Sequence, residues 1–224
     1  MTDPGGGWYL FWLGLAAGAS GLAMSAYRFV SPRWLKWLLW ASGLLVTSRY
    51  LAMATFATSA QPPMGWLLQR VWFASVIGLT FPGVVALDQL VRHPAMTPKK
   101  LLVRFSPFLL AYALVLLLGR IEWESHPLIG LHPRLVGWAV GALACAHAAF
   151  ILGMLGLGFL LAKKLPSTPI RLALAGLMAA YAYLGADGVV LAVGRWYSWP
   201  FLYSEILALV ALWLAFDTAK QHPL

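Results

Sequence analysis

The chain has 224 residues, 61% of them hydrophobic and only 10% charged, with a mean hydropathy of +0.77. Soluble domains are near half apolar and a quarter charged, so a soluble globular protein is excluded, and the fold expected is an all-α polytopic membrane protein. The net charge of +9 would suggest nucleic acid in a soluble chain, but here the basic residues sit between apolar runs as topology signals, which excludes nucleic acid as a partner.

Seven apolar runs are long enough to span a hydrocarbon core, each of about 20 residues. Their limits are 8–27, 34–57, 65–90, 101–119, 131–162, 170–193 and 199–217, and together they form one transmembrane domain over residues 1–224. The start, MTDPGGG, has no Lys or Arg before the first run, the reverse of a cleavable signal peptide. The first run is therefore expected as a retained helix entering from outside. Within it Gly14 and Gly18 form a GxxxG pair, repeated at Gly137 and Gly141, with more small residues from Gly153 to Gly158; these are expected to pack helices closely within the bundle. Pro82, well inside the third run, is expected to kink it and free a backbone carbonyl.

Between the runs the connections are short and marked by proline: SPR, QPP, RHPAMTPKK and KKLPSTP. The longest outer one, from about Arg120 to Pro133, is sized for a surface flap. Arg28, Arg33, Lys36, Arg92, Lys99, Lys100, Arg104, Lys163, Lys164, Arg171 and Lys220 share one side, eleven of the sixteen basic residues; Arg120, Arg134 and Arg195 share the other. The richer side is cytoplasmic by the positive-inside rule, which puts the N-terminus outside and the C-terminus inside, in the cell's inner (plasma) membrane. Trp8, Tyr9, Trp34, Trp66, Trp196, Tyr197 and Trp199 near run ends read as an interfacial belt.

Chemistry concentrates on four charged residues inside apolar runs: Arg49, Arg70, Asp187 and Glu205. At about 1.5 Å of rise per helical residue the two acids lie roughly 9 Å inside the outer boundary. Ions at such depth cost several kcal/mol unless paired or hydrated, and they mark ligand paths by default. Two readings follow: ion pairs that hold helices in register, or a polar cavity open to the outside. The charge balance predicts coupling between Arg49 and Asp187, and in the cavity reading Arg49 and Arg70 receive an anionic or polar ligand. Tyr50, Gln69, Ser75, Tyr181, Tyr183 and Tyr203 are then the candidate hydrogen-bond donors, and His147, at mid-depth in the fifth run, joins the candidate site.

Cys145 is the only cysteine, which excludes an internal disulfide and any multi-cysteine metal site. Phosphate-loop and dinucleotide glycine patterns, His boxes and paired heme-ligand histidines are missing, and GASG at Gly18 lacks the companion motifs of a rhomboid protease. No catalytic residue, metal ligand or cofactor is therefore assigned.

The layout through GWLLQRVWFASVIGLTFPGVVALDQLVRHP, KKLLVRFSPFLLAYALVLLLG and KKLPSTPIRLAL resembles the seven-helix membrane-embedded sensory region at the N-terminus of bacterial histidine kinases. That resemblance implies a sensor. Only TAKQHPL follows the last run, so output is expected through a partner protein. TSRYLAMATF and Arg70 look similar to the second and third helices of microbial rhodopsins, but the run Phe201 to Phe216 has no Lys for a retinal Schiff base. The sense of the first three and last three runs resembles the 3 + 1 + 3 plan of the SWEET sugar transporters. The function expected is thus a non-catalytic sensor or receptor-like module, in contact with the lipid bilayer, that binds a small-molecule ligand, polar or amphipathic, in an outward-facing cavity. A small-solute transporter and a structural subunit of a larger membrane complex are the alternatives.

Overall fold

The computed structural model describes residues 4–58, 66–92, 97–126, 129–162, 165, 167–192 and 202–222. Within them lie helices α1 (Pro4–Tyr27), α2 (Arg33–Thr58), α3 (Trp66–Val71), α4 (Ser75–Val91) and α5 (Pro98–Leu118). A two-stranded hairpin of β1 (Arg120–His126) and β2 (Gly130–Val136) comes next, before α6 (Trp138–Ala162), α7 (Thr168–Ala192) and α8 (Tyr203–Gln221). The fold is all-α apart from that hairpin. Lys163, Lys164 and Arg195, the QPP connection, and Trp196, Tyr197 and Trp199 fall outside the described residues.

Three helical segments among the described residues are long and apolar enough to cross a membrane: Gly7–Tyr27, Trp138–Ala162 and Thr168–Gly188. On α6 and α7, Leu152, Phe159, Leu160 and Leu172 are between 63% and 69% exposed. Apolar surface of that extent has no place against water, and with the span lengths it makes this a membrane protein.

Helices pack in chain order, α1 on α2, α2 on α4, then α4 to α8 in succession, and α8 returns to α1 to close a ring. Helix α4 also touches α6, α7 and α8, so it occupies the interior. Close approach there depends on absent side chains. A Cβ on Gly78 would lie 2.2 Å from Val46 of α2, and one on Gly83 would lie 2.5 Å from the ring of Tyr181 on α7. The hydroxyl of that tyrosine donates to the Leu79 carbonyl at 2.5 Å, three residues before Pro82, which α4 accommodates without a break. Among the described residues the expected GxxxG seams are not used: a Cβ on Gly14, Gly18, Gly137 or Gly141 would meet nothing within 4 Å, whereas Gly158 does pack against Met178.

Two runs depart from simple helices. Residues 65–90 divide into α3 and α4 at a tight turn in which Phe73, Ala74 and Val76 donate three residues back, to Arg70, Val71 and Phe73. Residues 131–136, the expected start of the fifth helix, form β2 instead. They pair residue by residue with β1, and Gly130 and Gly137, with φ of +70° and +66°, bound the strand on both sides. The expected flap is therefore an ordered antiparallel ribbon, with Glu124 opposite His132 and Trp123 opposite Pro133.

The hairpin identifies one end of the ring. Gly130 lies against the backbone of Ala57 near the end of α2, and Phe56 meets both Trp72 and Trp123 at ring centroids of 5.6 and 5.3 Å. At the other end Arg92 donates to the carbonyl of Ala219 at 2.6 Å, and Lys220 sits 3.8 Å over the ring of Phe29. Polar ribbon and basic cluster thus occupy opposite ends.

Docking of the ribbon is expected to depend on Gly130. Gly130→Ala adds a left-handed penalty of about 1–2 kcal/mol and drives a methyl to 2.9 Å from the Ala57 backbone. Gly137→Ala carries the same penalty into open space, so thermal melts in detergent should rank Gly130→Ala clearly below Gly137→Ala.

Candidate functional site

Helices α2, α4, α6, α7 and α8 line a partly open cavity of about 260 Å³, to which β2 and Glu124 contribute on the hairpin side. Its deepest feature is an ion pair. Arg49 of α2 meets Glu205 of α8, with side chains only 5% and 8% exposed. Tyr50 donates its hydroxyl to the same carboxylate oxygen at 2.9 Å, and the Arg49 Nε donates to the backbone carbonyl of Trp72.

Each partner has a local origin. In a continuous helix Val76 N–H would take the Trp72 carbonyl; the turn between α3 and α4 sends that N–H to Phe73 instead, and Arg49 claims the released oxygen. Glu205 falls in the first turn of α8, where the positive end of the helix dipole favours a carboxylate. Thus a buried anion is held from three directions: a guanidinium, a phenol and a helix terminus.

One residue earlier on α8, Ser204 donates to Asp187 of α7 at 2.6 Å. Asp187 is half-buried, and this is its only hydrogen bond among the described residues. Beside it on α7, Gly188 leaves room for the imidazole of His147 on α6, whose Nδ1 is buried without a hydrogen-bond partner among the described residues. Trp72, Phe73, Val76, Leu79, Leu143 and Leu184 supply aromatic and apolar wall.

The ribbon brings a second charged set. Glu124 accepts from Arg134 at 2.7 Å and lies 3.6 Å from His132. The Arg134 hydrogen bond holds the Glu124 carboxyl below its ordinary pKa. Burial pushes the His132 imidazole below its ordinary value, against the raising effects of the Gly130 carbonyl and of Glu124.

Three of the four embedded charges expected from sequence, Arg49, Asp187 and Glu205, line this one cavity together with His147 and Ser75. The pairing differs from expectation. Arg49 is matched to Glu205, while Asp187 is matched to a neutral hydroxyl. Arg70 donates to the Gly119 carbonyl at the end of α5 at 2.6 Å and, like Gln69 on α3 and the half-buried Tyr183 on α7, is not among the lining residues. Tyr181 is engaged by Leu79, and Tyr203 packs edge-on against Trp12 at 4.7 Å. Sequence reasoning missed Trp72, Ser204, Glu124, His132 and Arg134. For the last three the available signal was a polar residue at alternate positions of ESH and LHPRL.

Arg49→Met leaves Glu205 buried without its counter-charge and is expected to cost about 3–5 kcal/mol. Combined with Glu205→Gln it should show a coupling of about 0.5–3 kcal/mol, whereas Arg49→Met with Asp187→Asn should be close to additive; a double-mutant cycle from unfolding curves measures both. For the ribbon, a lowered His132 pKa means that the undocked state binds the extra proton. Its contribution is complete above about pH 6.5 and lost as the pH falls toward the docked value, while the Glu124 contribution persists to about pH 4.5 and is lost below it. Hydrogen exchange of residues 120–136, corrected for intrinsic rates, should accelerate first in the His132 window. Comparison of the chain with protein-family models found no match, and neither did comparison with curated proteins.

Proposed function

We propose that this is a seven-span membrane protein, N-terminus outside and C-terminus cytoplasmic in the inner (plasma) membrane, which acts as a non-catalytic sensor or receptor-like module. In this reading α3 and α4 together make the third span, and the ribbon-capped cavity receives a small polar or amphipathic ligand from outside. Support for the direction comes from the ends of the ring: Arg28, Arg92 and Lys220 cluster away from the ribbon, as the positive-inside rule asks of a cytoplasmic face.

One observation carries the functional reading. A half-buried carboxylate, Asp187, and a buried ion pair converge on a cavity of about 260 Å³ whose remaining wall is largely apolar, the composition of a small-molecule site. Ion pairs that served only to fix register would need no such space around them. Output passes to a partner protein, as in the histidine-kinase sensory regions that the layout resembles. A transporter is the second reading. It is favoured by the succession α1, α2, α4 and α6, α7, α8 on either side of α5, which suits a 3 + 1 + 3 plan.

Orientation is tested by thiol labelling of intact cells after Cys145→Ala. Ser125→Cys on the exposed ribbon is expected to react with a membrane-impermeant maleimide, and Gln221→Cys only after lysis. The opposite pattern refutes the topology. Function is tested in proteoliposomes with any solute that raises the melting temperature: a sensor binds it without accumulation, whereas accumulation that Asp187→Asn abolishes establishes the transporter.

A further inference from the structure

The cavity's charge is not neutral. With both histidines uncharged, Arg49 and Arg134 stand against Glu124, Asp187 and Glu205, an excess of one negative charge. Both guanidiniums are already engaged by carboxylates, Arg49 by Glu205 and Arg134 by Glu124. An incoming anion would have to displace an existing ion pair and would meet Asp187 uncompensated. An incoming cation would displace nothing.

Asp187 has capacity to spare. An ionised carboxylate offers about four lone-pair sites, and among the described residues one bond, from Ser204, is made to it. His147 stands on the adjoining helix as a second acceptor, at whichever ring nitrogen lacks the proton. The same lining includes the aromatic residues Trp72 and Phe73 and the aliphatic residues Leu143 and Leu184. These groups match a positive head with donor hydrogens and a short apolar tail.

We propose that the ligand is a small organic cation, a protonated primary amine with an apolar substituent, whose ammonium group donates to Asp187 and whose tail rests against the aromatic and aliphatic wall. The inference rests on the cavity being a binding site. Of the anionic or polar ligand expected from the two embedded arginines, it drops the anionic alternative.

Three probes of matched size separate the two ideas: n-butylamine, butyramide and butyrate, each titrated at pH 7 against the purified full chain in detergent with the melting temperature as readout. Butylamine is expected to raise it by about 5–10 °C near 100 times its Kd, with the amide and carboxylate without effect. Asp187→Asn, which keeps an acceptor for Ser204, should weaken the amine about tenfold or more. Ser204→Ala, which leaves the carboxylate in place, should retain the preference for amine. Stabilisation by butyramide or butyrate instead, or amine binding unchanged in Asp187→Asn, overturns the cationic assignment while leaving the cavity a binding site. No effect of any probe on a chain whose Arg49→Met variant melts at a lower temperature overturns the cationic assignment and removes support for the binding site itself.

Discussion

The contact on which the arrangement depends is the buried pairing of Arg49 with Glu205. Neither ion is tolerable alone at such low exposure, because the desolvation of each amounts to several kcal/mol. Joining them fixes α2 to α8, elements 155 residues apart at Tyr50 and Glu205, and the additional bond from Arg49 to the Trp72 carbonyl draws the α3–α4 turn to the same point. An irregular turn, a helix terminus and a long polar side chain each carry an unsatisfied group. Their mutual satisfaction makes one rigid junction.

That junction also defines what is left over. Once Glu205 is paired with Arg49, the neighbouring Asp187 is met by a serine hydroxyl, and the ribbon's Glu124 is balanced by Arg134. Adjacent residues of α8 thereby make different contacts. Glu205 pairs across the bundle with Arg49, and Ser204 bonds Asp187 at the cavity wall.

Much of this was legible in the chain. Composition and run length identified the helical membrane fold, and the rarity of charge inside apolar runs identified Arg49, Asp187 and Glu205. What escaped had specific causes. Leu131 to Val136 runs straight into the apolar stretch of α6 and reads as part of it, although His132, Pro133 and Arg134 interrupt it; pairing with β1 between two positive-φ glycines makes it a strand. The turn at Phe73 carries no proline or glycine and so left no local signal. Pairing was beyond reach because depth along separate helices does not fix rotation about each axis. Arg70 lies near the depth of Asp187 by counting, yet α3 turns it toward the end of α5.

Helix α8 holds Ser204 and Glu205 in its first turn, while near its last turn the Ala219 carbonyl receives Arg92 and Lys220 rests on Phe29. At 1.5 Å per residue these sites are roughly 22 Å apart on one uninterrupted rod. A rigid rotation of α8 that carried Ser204 away from Asp187 would also shift the Ala219 carbonyl relative to Arg92, so one helix ties the polar chamber to the basic end.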